Sequence, residues 1–136
     1  MKILVIDDDR AFREYLVSLL ERAGHQALGL DSGLYLDSIP DLSTFHAVVT
    51  DLYMPDVDGI ETVRGIKRKA PQMPIIGMTG RHQLGQDPCL YAMTAFGAAA
   101  VLMKPLNETA LLAVLQRVAR SPSESPAERP AGAGGD

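Results

Sequence analysis

Short runs of uninterrupted apolar residues alternate along this chain with longer stretches in which apolar positions recur every three or four residues. The run Ile3-Leu4-Val5-Ile6 predicts a strand over 2–6, buried on both faces. A helix is predicted at about 10–23, where Phe12, Tyr15, Leu16, Leu19, Leu20 and Ala23 share one stripe. Asp9 is expected to cap it and Gly24 to stop it. A weaker strand follows over 26–30, then a short helix over 32–39 ended by Pro40. Residues 46–50 predict a third strand. The helix at about 59–69 turns Ile60, Val63 and Ile66 inward and Arg64, Lys67 and Arg68 outward. A fourth strand is expected over 74–78. Asp87-Pro88 reads as cap and first residue of a helix over 88–96, stopped at Gly97. A fifth strand over about 100–103 precedes a last helix at about 107–120, capped by Asn107, with Leu111, Leu112, Leu115, Val118 and Ala119 inside.

Strands alternating with helices predict an α/β fold whose parallel sheet carries helices on both faces. Right-handed crossovers leave few topologies. The one that suits five strands is the doubly wound, flavodoxin-like order 2-1-3-4-5, with five helices. Strands one and three are then neighbours at the switch point, so Asp7, Asp8 and Asp51 should converge there. Residues 1–120 form the expected domain. Residues 121–136 hold proline, glycine and serine with nothing apolar larger than alanine, and are expected to be a flexible tail or linker stub.

Composition narrows the function classes. The chain has 136 residues, 46% of them hydrophobic and 22% charged, enough for one domain with a core. A formal charge of −4 lacks the basic face that direct nucleic-acid binding needs, so no such binding is expected. No apolar run approaches the roughly 20 residues of a membrane span. A lone cysteine, Cys89, can form neither an internal disulfide nor a zinc site, and a cytoplasmic location is expected.

Chemistry gathers at the strand ends. Carboxylates brought together repel unless a cation joins them, and oxygen-only ligands select a hard ion such as Mg2+. Thr79 ends strand four, where its hydroxyl can donate to a phosphoryl oxygen. Lys104 ends strand five and can bring a positive charge to the same group. Taken singly, each has a plainer reading: Asp7-Asp8-Asp9 as a helix cap, Asp51 and Thr79 as turn residues, Lys104 as a solvated surface lysine. Their arrival together at four strand ends favours the functional reading.

This set resembles the receiver domain of two-component response regulators, over about residues 1–120. So do Asp51-x-x-Met54-Pro55-x-x-Asp58-Gly59 and the pair Lys104-Pro105. The resemblance implies that Asp51 accepts a phosphoryl group from the phosphohistidine of a sensor kinase or histidine phosphotransfer protein, with Mg2+ as cofactor. It implies Asp8 as principal metal ligand, with Asp7, Asp51 and the Tyr53 backbone carbonyl completing the set. Thr79 and Lys104 are implied contacts of the phosphoryl oxygens, Tyr53 and Arg81 the residues that tune phosphate lifetime, and Lys104-Pro105 a cis peptide. The expected product is a phospho-accepting switch that changes protein–protein affinity and catalyses only its own phosphorylation and slow dephosphorylation.

The chain departs from the receiver pattern at Val101, where many members carry an aromatic residue whose rotation is coupled to the threonine. It also has a longer segment between Thr79 and Lys104. The predicted helix over 88–96 has no charged residue, so the 88–120 face, with Leu90, Met93, Phe96 and Val101, is expected to bind a downstream protein or a second copy. A receiver-like scaffold that dimerises without phosphorylation is the alternative reading. The length favours a single-domain regulator.

Overall fold

The computed structural model describes residues 1–52, 59–80 and 97–119. Five strands, β1 (Lys2–Ile6), β2 (Gln26–Leu30), β3 (Ala47–Asp51), β4 (Ile75–Thr79) and β5 (Ala100–Met103), form one parallel sheet in the order β2-β1-β3-β4-β5. Three α-helices lie among the described residues: α1 (Arg10–Arg22), α2 (Gly59–Lys69) and α3 (Glu108–Val118). No helix among them is long and apolar enough to cross a membrane.

The continuous apolar runs are explained by burial on both faces. Leu4, Ile6, Val48 and Ile75 pack on one side with Val63 and Ile66 of α2, together with Phe45 and Met73. Ile3, Val5, Ala47, Val49, Ile76 and Met78 pack on the other with Leu16, Leu19 and Leu20 of α1 and Leu111 and Leu115 of α3. Each of these side chains larger than alanine contributes about 1.5–3 kcal/mol by leaving water. Alternation along a strand lets one peptide serve both cores.

Local chemistry ends the helices where the sequence predicts. The Asp9 carboxylate accepts from the Phe12 N–H at 3.1 Å, and the Asn107 side chain from the Ala110 N–H at 2.9 Å. Beyond α1, Gly24 takes a φ of +95°. Its N–H donates to the Glu21 carbonyl while that of His25 donates to Leu20, a Schellman motif.

The structure differs from the expectations in detail. The segment predicted as a helix over 32–39 is a 3-10 helix, Gly33–Ser38, and a second, Leu42–Thr44, follows it. The Asp41 carboxylate caps the latter, accepting from the Ser43 N–H at 3.0 Å. Pro40 separates the two turns, and neither piece is long enough for the cooperative α-helical ladder. Strands β3 and β4 each run one residue later than predicted, because pairing continues through Asp51 opposite Met78 and Thr79 opposite Met103. Ala23 is exposed at the end of α1, and Tyr15 stays 38% exposed because its hydroxyl donates to Glu108 at the rim. Lys67 is half-buried, donating to the Met73 carbonyl at 3.0 Å beyond the end of α2. The predicted helix over 88–96 and the tail over 121–136 lie outside the described residues.

Gly59 opens α2 against the end of β3. Its N–H donates to the Leu52 carbonyl, and a Cβ there would lie 2.7 Å from Leu52 Cα. Only glycine allows this approach between two backbones. Gly59→Ala should therefore lower stability by about 1–3 kcal/mol, and Asn107→Ala by about 1 kcal/mol through the lost cap. Urea unfolding midpoints at constant m-value test both.

Candidate functional site

Sheet register brings the acids together. Ile6 stands opposite Thr50, so Asp7 and Asp51 leave adjacent strand ends side by side. Alternation gives them the same face, the one that carries Ile3 and Val5 in β1 and Ala47 and Val49 in β3. At the other end of the site, the Lys104 N–H donates to the Thr79 carbonyl at 2.6 Å, extending the β4–β5 ladder by one step. The Lys104–Pro105 peptide is cis, as the resemblance implies.

The side chains then meet. Asp7 is fully buried and Asp51 is 5% exposed. Lys104 Nζ lies between them, 2.8 Å from Asp7 Oδ2 and 3.1 Å from Asp51 Oδ2. Burial is the largest influence on the ammonium and pulls its pKa down. The hydrogen bond to Asp7 and the charges of Asp51 and Asp7 together outweigh it and leave the pKa raised. Lys104 is thus charged throughout the neutral range. Asp7 is held further by the Asp9 N–H, which donates to its Oδ1 at 2.9 Å, and by Arg13, which donates to its backbone carbonyl at 2.7 Å.

Asp8 is exposed at the mouth of the site, and one carboxylate oxygen each from Asp7, Asp8 and Asp51 lies within 4.8 Å of the others. Lys104 brings one positive charge to these three carboxylates, so the cluster stays negative. All the donors are hard oxygens, which fits a magnesium ion and disfavours softer metals. Thr79 is fully buried at the end of β4. Val101 is half-buried opposite Gly77 and packs into the core on the α2 side. Tyr53, Arg81, Leu90, Met93 and Phe96 lie outside the described residues.

Three participants were not legible as such in the sequence. The Asp9 N–H and the Arg13 guanidinium position Asp7. The Phe12 ring lies with its centroid 4.3 Å from Lys104 Nζ. The helical stripe marks Phe12 as an inward residue, but periodicity does not say that the top of the stripe abuts the site.

Comparison with known proteins agrees with this geometry. A match to the response regulator receiver domain family spans residues 3–116. The chain is 39% identical over 119 residues to the transcriptional regulatory protein FixJ of Bradyrhizobium diazoefficiens, covering 87% of this chain and 56% of FixJ. It is 34% identical to the response regulator protein FleR of Pseudomonas aeruginosa, covering 85% of this chain and 24% of FleR. The chain thus spans about half the length of one curated relative and a quarter of the other. Among solved structures it resembles full-length FixJ from B. japonicum, with a TM-score of 0.75 and 36% identity over 86% of this chain and 56% of that one. It also resembles the chemotaxis protein CheY4 of Vibrio cholerae, with a TM-score of 0.72 and 27% identity over 86% of this chain and 97% of that one. With its sheet order, its strand-end acids and these relatives, the chain belongs to the response regulator receiver domain family.

Proposed function

We propose that this receiver domain is a switch that takes a phosphoryl group onto Asp51 from the phosphohistidine of a sensor kinase or histidine phosphotransfer protein. The observation that carries the reading is Lys104 Nζ held between the buried Asp7 and Asp51 carboxylates at the ends of parallel strands. An Asp51 carboxylate oxygen attacks phosphorus. The bond from phosphorus to the imidazole nitrogen breaks, and that nitrogen keeps the electron pair. The product on Asp51 is an acyl phosphate.

Phosphoryl transfer has a loose transition state, so positioning and charge neutralisation supply most of the catalysis. Lys104 donates to a phosphoryl oxygen, and the Thr79 hydroxyl donates to another. Asp7, Asp8, Asp51 and the Tyr53 carbonyl would hold Mg2+, which when bound offsets negative charge on the phosphoryl oxygens. Asp7 keeps its orientation through Asp9 and Arg13. Tyr53 and Arg81 govern how readily water reaches the acyl phosphate.

Phosphorylation replaces a carboxylate by a group with nearly two negative charges. Lys104 and Thr79 respond to it at the ends of β5 and β4, and so can bias the backbone arrangement of 79–103, which overlaps the partner face proposed over 88–120. Binding of a downstream protein or of a second copy to that face is the output.

Intact mass after incubation with Mg2+ and a small acyl-phosphate donor should show one phosphoryl group on the wild type and none on Asp51→Asn. An unmodified wild type would overturn the reading. Mg2+ should raise the melting temperature of the wild type through preferential binding to the folded state. Asp8→Ala should abolish most of that rise, as a thermal scan with and without chelator will tell. Leu90→Asp and Met93→Asp should weaken self-association or partner binding at least tenfold while the rate of phosphorylation stays within about twofold.

A further inference from the structure

We propose that Phe12 is a positioning residue for Lys104, holding the ammonium against the face of its ring. The role in the reaction rests on the assignment of Lys104 as a phosphoryl contact. The contact itself stands on geometry alone.

Lys104 Nζ has two carboxylate partners, at 2.8 and 3.1 Å, and the Phe12 centroid lies 4.3 Å away. That distance is well inside the roughly 6 Å over which an ammonium is attracted to an aromatic face. The lysine side chain here is 20% exposed, so water competes little with the ring.

The ring is fixed from behind. Phe12 is half-buried against the core shared by α1 and α3. The Tyr15 ring packs on it with centroids 5.9 Å apart at 43°. The Tyr15 hydroxyl donates to Glu108 Oε2 at 2.9 Å, in the first turn of α3. Phe12 is thereby braced between two helices, while its face is turned to the Lys104 ammonium.

The need for such a partner follows from the chemistry. Asp51 loses its free carboxylate when it becomes an acyl phosphate, and Lys104 loses that partner. A neutral ring is unaffected by the change and does not compete with phosphoryl oxygens as a counter-ion. Phe12 can keep Lys104 in place before and after transfer. A purely packing role predicts that any apolar side chain of similar size would serve. Attraction to the ring face predicts dependence on aromatic electron density.

Phe12→Leu should slow phosphorylation by the small acyl-phosphate donor by roughly three- to tenfold, and Phe12→Tyr should restore the rate to near wild type. Replacing Phe12 by 4-fluoro- and then 3,4,5-trifluorophenylalanine should lower the rate stepwise, because fluorine drains the ring face without changing its shape greatly. In the metal-free protein, the ring-current shift of the Lys104 ε-methylene protons should be present in wild type and Phe12→Tyr and absent in Phe12→Leu. A wild-type rate in folded Phe12→Leu, or a flat fluorination series, would overturn the proposal; the series also decides the matter if Phe12→Leu does not fold. If the wild type takes up no phosphate, the proposed function and the positioning role of Phe12 in the reaction fail together. The ring-current comparison then still decides whether the contact exists.

Discussion

The site depends on one ammonium shared by two buried carboxylates. Asp7 and Asp51 are forced into proximity by the β1–β3 register, and neither has enough water around it to be a comfortable anion alone. Lys104 answers that constraint, and its own burial is tolerated only because the two acids surround it. Removing Lys104 leaves two buried carboxylates facing each other without their shared cation. Their spacing leaves a cluster of hard oxygen ligands, with Asp8 added, that could hold a divalent cation.

Holding that spacing is the task of the two cores. Strands β1, β3 and β4 are packed on both faces, so their ends cannot drift independently. Side chains placed at the ends of such strands inherit the rigidity of the sheet. Gly59 belongs to the same logic: it lets α2 start directly against the backbone that carries Asp51.

Much of this was legible in the sequence because the signals are local. Asp9, Gly24 and Asn107 act within a few residues of where they stand, through caps and a positive φ, and the helix ends fall where those residues predict. Uninterrupted apolar runs located the strands to within a residue. Errors arose where the outcome depends on a distant neighbour. Tyr15 and Ala23 lie on the inner stripe by period, yet the partner surface does not extend over them. Lys67 reads as a solvated cation and instead satisfies the Met73 carbonyl. The 33–38 turns bear apolar residues like a helix, but Pro40 cuts the segment short.

The candidate site divides in the same way. The chain by itself determined which residue types stand at the strand ends, because a hydrophobic run that stops at an acid, a threonine or a lysine can be read directly. The tertiary structure decided which ends meet. Lys104 lies 97 residues from Asp7 and 53 from Asp51, and no local preference links them. Their contact follows from the order of parallel strands, which is fixed by crossovers and by packing on both faces of the sheet. The same holds for Phe12, whose side of α1 is set by period but whose neighbour is set by where β5 ends.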